Sequence, residues 1–238
     1  MDPHSNVRHL THELDELTER LFRAAGLVET RLRRAIGGLV ERDLQGLAGV
    51  VAADTGASAM HASIDERCFT LLALQQPVAV DLRTIVSILK INADLERVGG
   101  LAVNVAETAG QYLLYRAVRP LVDLRRMGDL ALKMLREAID AFVSRDITLA
   151  HAVLQQDEWL DALRDQVFRV LLTHMLGDPD TIEPGIDLIL VSRHLERVGD
   201  HATNIAEDVI FVVEGRDVRR GSASRAVERR RTVHGTSI

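Results

Sequence analysis

Apolar residues recur at Leu10, Leu14, Leu17, Leu21, Ala25, Val28, Leu32, Ile36 and Leu39 in alternating three- and four-residue steps. On a helix they share one stripe, which predicts a first long amphipathic helix over about 6–41. The period resumes at Val50, Ala53, Ala57, Ile64, Cys68 and Leu71, weakened at its start by Gly46 and Gly49, and stops at Gln76-Pro77. A third helix then runs to about residue 113, with Asp81 near its start and Leu82, Ile85, Leu89 and Leu95 to Val105 as its apolar positions. After Arg119-Pro120 the residues Leu124, Met127, Ala131, Leu135, Ala138 and Phe142 predict a fourth helix to about 144. A fifth covers about 146–175 and stops at Gly177-Asp178-Pro179, and a sixth ends near Gly215. Six long antiparallel helices joined by short turns make an all-α chain.

The third and sixth helices carry the same words. Leu95-Glu96-Arg97-Val98-Gly99 returns as Leu195-Glu196-Arg197-Val198-Gly199, and Ala102, Asn104, Ala106 and Glu107 return as Ala202, Asn204, Ala206 and Glu207. A repeat at fixed offset divides the chain into two pseudo-symmetric three-helix bundles, residues 1–115 and 116–215, followed by a tail, 216–238.

Composition narrows the class. Aromatic residues make up 3% of the chain and there are five prolines, which suits aliphatic helix packing. No apolar run is long enough to span a bilayer, the N-terminus lacks the apolar core of a secretory signal, and the single cysteine, Cys68, suits a reducing compartment; a cytoplasmic protein is expected. The net charge of −6 is unevenly placed, because the tail holds seven arginines against Asp217 and Glu228. The acidic body argues against nucleic acid as a ligand. The tail reads as a solvated, disordered end, with a membrane or an acidic partner as the other readings.

On helical geometry Glu196, Asp200, Asn204 and, eleven positions after Glu196, Glu207 form one polar stripe, and Asp157, Asp161 and Asp165 form another on the preceding helix. Where the two stripes meet, a hard cation such as iron, manganese, magnesium or calcium would neutralise them. The plainer alternative is a solvated acidic face, with Glu196 and Asp200 answered by Arg193 and Arg197. The first bundle offers a thinner set in Glu96, Asn104, Asp54 and Asp65, with Gly100 where the second copy has Asp200 and Ser58 where it has Asp161. No glutamate is followed by histidine three residues on, which argues against a ferritin-like di-iron enzyme. No glycine-rich anion loop opens a helix, which argues against a direct phosphate sensor.

Ile64-Asp65-Glu66-Arg67-Cys68, the run Gln76-Pro77-Val78-Ala79-Val80-Asp81-Leu82-Arg83 and the two Leu-Glu-Arg-Val-Gly copies together resemble the PhoU family of phosphate-signalling regulators. The resemblance spans nearly the whole chain. It implies a cytoplasmic, non-enzymatic adaptor that holds down phosphate uptake and the phosphate-starvation response. The implied partners are the ATPase of the phosphate ABC transporter, a phosphate-sensing histidine kinase and a second copy of the chain, with the membrane reached only through them. It also implies iron, zinc or another divalent metal on the acidic motif. Glu196, Asp200, Asn204, Asp157 and Asp161 are the matching positions in the second bundle, and Glu96, Asn104 and Asp54 the incomplete set in the first. For Asp81, Leu82 and Arg83 it leaves two roles open, bracing the turn after Pro77 or contacting a partner. A metal- or phosphate-storage protein is the alternative function.

Overall fold

The computed structural model describes residues 3–53, 57–118 and 123–216. Among them are seven α-helices: α1 (Pro3–Glu41), α2 (Leu44–Ala52), α3 (Ala57–Gln75), α4 (Ala79–Tyr112), α5 (Leu124–Ser144), α6 (Ile147–Gly177) and α7 (Ile182–Glu214), with a short 3-10 turn at Pro179–Thr181. The single helix expected up to residue 75 is therefore two, α2 and α3. Its apolar period runs on unbroken because Leu47 and Val50 of α2 and Ile64, Cys68 and Leu71 of α3 are all buried in the core. α2 ends at Ala52 and α3 begins at Ala57. Asp54 and the tail beyond Arg216 lie outside the described residues.

One local device is used twice. Arg42 and Arg145 take left-handed backbone conformations (φ 58° and 55°) and end α1 and α5. The aspartate that follows each starts the next helix. Asp43 Oδ1 accepts from the Gly46 amide at 2.9 Å, and Asp146 Oδ1 from the amides of Thr148 and Leu149 at 2.8 and 3.0 Å. These are N-caps that satisfy otherwise orphaned donors. Arg42 does more than turn the chain, since its guanidinium donates to the carbonyls of Leu113 and Tyr115 and lies over the Tyr112 ring.

The two bundles join through matching helices. α1 packs on α5, where Gly128 leaves room for Ile36; a Cβ there would lie 2.8 Å from Ile36 Cδ1. Beside this contact Glu29 pairs with Arg136. α4 and α7, the repeat-bearing helices, pack together along their length. Lys90 meets Asp208 and Asp94 meets His201, while Arg83 reaches Val212, so the two helices run antiparallel. Exchanging the bundles by an approximate twofold axis exchanges α4 with α7.

Candidate functional site

In the second bundle the structure brings together the acidic stripes of α6 and α7, but around an arginine. Arg164 of α6 donates from Nη1 to Glu196 Oε1 at 2.8 Å, and its Nη2 lies 3.0 Å from Asp165 and 3.9 Å from Asp161. The neutralising guanidinium thus comes from the neighbouring helix, and not, as in the solvated-face alternative, from Arg193 and Arg197 of α7 itself. Arg193 still acts on Glu196, and Arg197 on Asp200, through space. Burial pushes the Glu196 carboxyl above its ordinary range, and Asp200 and Asp161 add to that against the pull of Arg164. Asp200 is raised in the same way, by burial first and then by Asp161. The cluster holds more negative charge than its arginine answers.

Two predicted members turn elsewhere. Asn204 Nδ2 points across the α4–α7 seam to Asp94 Oδ1, 3.4 Å away. Glu207 is buried, so the stripe does not stay outward along its whole length. Asp157, one turn before Asp161 on α6, is half-buried and has interactions of its own.

The first bundle has no comparable cluster among the described residues. Glu96 and Asn104 are exposed, and Gly100 between them faces open space. Asp65 is drawn into a different network. Asn92 Nδ2 donates to Asp65 Oδ1 and to the His61 carbonyl, both at 2.9 Å, which leaves Asn92 Oδ1 to accept from His61 Nδ1 at 2.6 Å. Aligned by the repeated Arg-Asp caps, His61 occupies the position of Arg164. Neither residue was singled out from the sequence. An arginine three positions after Asp161 on one helix face was the available signal for Arg164.

As arranged, these side chains do not make a cation cage: among the described residues no group of three or more histidine, cysteine, aspartate or glutamate side chains is placed to hold a metal ion. Arg164 stands among carboxylates that the family resemblance assigns to a metal. Cys68 offers no ligand, since burial first and then Asp65 push its thiol up to about 12.

The two ends of the seam between the repeat helices differ. His201 Nδ1 donates to Asp94 Oδ1 at 2.8 Å, with both side chains buried. The twofold mates of this pair are His194 and Leu101. His194 Nδ1 is buried without a hydrogen-bond partner, and burial, then Arg197 and Arg193, hold the ring below its ordinary pKa. At the Gln76–Arg83 run, α4 begins after Val78 with no side-chain cap, so Asp81 assists only as an acid in the first turn. Arg83 donates from Nε to the Val212 carbonyl at 3.2 Å and lies over Gly215, the left-handed residue that ends α7. Its role in the fold is to brace the last turn of α7.

This geometry, a helical bundle built twice with the last helix of each copy packed on the other, is shared with known proteins. The PhoU domain family matches the chain twice, at residues 21–109 and 124–209. The phosphate-specific transport system accessory protein PhoU homolog of Pseudomonas putida is 39% identical over 98% of this chain and 93% of its own. The homolog from Pseudomonas aeruginosa is 40% identical over 94% and 93%. The crystal structure of PhoU from Pseudomonas aeruginosa superposes with a TM-score of 0.83 at 39% identity, covering 87% of this chain and 99% of that one. The phosphate transport system regulatory protein PhoU from Streptococcus pneumoniae gives 0.80 at 27% identity, covering 88% and 99%. With two matching domains, relatives near 40% identity over almost its whole length and the same fold, the chain belongs to the PhoU family.

Proposed function

We propose that this chain is a cytoplasmic negative regulator of phosphate uptake and of the phosphate-starvation response, acting as an adaptor between the phosphate transporter's ATPase and the sensor histidine kinase. The observation that carries this reading is the pair of PhoU domains, in a chain whose relatives are named as accessory proteins of phosphate-specific transport. The arrangement also suits an adaptor. The interlocked α4 and α7 hold two homologous bundles at fixed separation, so each can engage a different partner. The function rests on binding, without catalysis of its own. No helix among the described residues is long and apolar enough to cross a membrane, which suits action from beside the transporter.

Deleting the chain in its native host is the direct test. A phosphate-responsive promoter should then fire at high phosphate, and the tagged protein should co-purify with the transporter ATPase or the kinase. A promoter that stays silent in the deletion strain removes the regulatory reading. Light scattering of the purified chain tests the homodimer.

A further inference from the structure

The hairpin of α6 and α7 carries an apolar strip that continues the outward face of the carboxylate cluster. Arg164 meets Glu196, and a Cβ at Gly185 would lie 2.9 Å from Met175 Sδ, so the two helices run side by side from the cluster to their turn. Phe168 and Leu172 follow Arg164 by about one and two turns of α6. Ile182 and Ile186 precede Glu196 by about four and three turns of α7, on the same side of that helix. All four are exposed, by 40 to 48%, and Leu176 beside the turn by 81%. The strip extends about 15 Å along the hairpin, the length of about three helical turns. Contiguous exposed apolar surface of this kind marks an interaction site.

Its border is acidic. Between residues 165 and 193 stand Asp165, Asp178, Asp180, Glu183 and Asp187, against Arg169, Arg193 and His174. Among the described residues no ion pair ties up Asp178, Asp180, Glu183 or Asp187. Burial, then the neighbouring Glu183, pushes the Asp187 carboxyl above its ordinary range. At its far end the strip meets Glu196 and Asp200, where negative charge is again in excess.

The first copy shows that this border is not a by-product of the fold. One hundred positions earlier, where α4 begins, Val78, Val80, Arg83 and Ser87 stand in place of Asp178, Asp180, Glu183 and Asp187. That tip also displays aliphatic side chains, with Leu74, Val78 and Leu82 exposed. Two tips of one fold are therefore apolar, and only the second is ringed with carboxylates. An uncharged apolar surface accepts any apolar partner, whereas an acidic border attracts a basic one and rejects an acidic one.

We propose that the outward face of the α6–α7 hairpin docks a basic amphipathic helix of a partner protein. The helix lays its apolar positions on Phe168, Leu172, Ile182 and Ile186, and its lysines or arginines meet the acidic border. This contact gives the adaptor a partner-facing surface and rests on that reading, yet peptide binding in vitro and promoter output in the deletion strain fail separately.

Fluorescence anisotropy of a labelled synthetic peptide with the full chain tests it. The probe is a helix of about 18 residues with leucine at i, i+3, i+4 and i+7 positions and lysine between them. Its twin carries glutamate for every lysine. The lysine peptide should bind at least about tenfold more tightly than its twin, and more weakly as salt is raised. Leu172→Gln with Ile186→Gln should weaken binding by about tenfold, and Asp180→Asn with Asp187→Asn by about fivefold. Val78→Ser with Leu82→Ser, at the other tip, should leave it unchanged. Circular dichroism checks that each variant keeps its helices. Equal binding of the twins, or binding by neither, overturns the proposal. So does lysine-peptide binding that survives Leu172→Gln with Ile186→Gln, which would mark diffuse attraction to the acidic body. Loss of self-association in that variant, read by light scattering, would give the face to a second copy and overturns it as well.

Discussion

Asp94 of α4 accepts a hydrogen bond from His201 of α7, whereas the twofold mate of Asp94, His194, keeps a buried Nδ1 with no partner. The duplicated helices therefore interlock asymmetrically. Removing one side of a buried, satisfied pair strands the other, while removing an unsatisfied group relieves a cost. Asp94→Leu should lower stability by about 2 to 3 kcal/mol in urea unfolding, because His201 loses its acceptor. His194→Leu should fall within about 1 kcal/mol of neutral, on the stabilising side. Equal losses in both variants would contradict this account.

The same asymmetry appears at the glycines of the repeat. A Cβ at Gly99 would touch Val28 and Arg31 at 3.8 to 3.9 Å, which is ordinary contact. A Cβ at Gly199 would overlap Leu160, itself buried against the core, with Met134 close behind at 3.5 Å. Gly99→Ala should then be neutral or stabilising by up to about 1 kcal/mol through helix propensity. Gly199→Ala should cost about 1 to 3 kcal/mol through overpacking. Thermal unfolding of the two single variants gives the sign directly.

The repeated Arg-Asp turns separate backbone from side-chain roles. Arg145→Gly should stabilise by about 0.5 to 1 kcal/mol, since glycine takes the left-handed conformation without a Cβ penalty. Arg42→Gly should not share this gain, because it also deletes the bonds to Leu113 and Tyr115 and the cover over Tyr112. Asp146→Ala should cost about 1 kcal/mol by leaving the amides of Thr148 and Leu149 uncapped. A denaturation series on the three variants checks the order.

Long-range architecture was legible because it rests on period and repetition. The apolar stripe of α1 and the two Leu-Glu-Arg-Val-Gly copies each reflect a constraint that every turn of helix repeats. The break between α2 and α3 was not legible, since Val50 and Ile64 face one core and keep the helical period across it. At the site, the sequence placed Glu196, Asp200 and Asp161 together, because i, i+4 spacing fixes which residues share a face. It did not show Arg164 between them, nor Asn204 turning to Asp94, because those outcomes depend on how two helices are rotated against each other. A single helix's pattern carries no such information.

The carboxylate cluster gives a prediction whose sign depends on its occupant. Glu196 and Asp200 have raised pKa values in the folded chain, so between the ordinary carboxylate range and their folded values the folded state binds more protons. Their charges consequently cost stability at neutral pH, and the cost fades as pH falls toward the ordinary range near about 4. Asp200→Asn should stabilise the metal-free protein at pH 7 by only about 0.5 kcal/mol, because Asp200 keeps contact with solvent, and the gain should vanish on acidification. A divalent cation resident on the stripe reverses this result. Chelator would then destabilise the wild-type chain and leave Glu196→Ala with Asp200→Ala unchanged, and elemental analysis would find metal in the first protein but not in the second. Urea titrations at pH 7 and pH 4, with and without chelator, therefore distinguish an ion-pair cluster closed by Arg164 from the iron or zinc centre that the family resemblance implies.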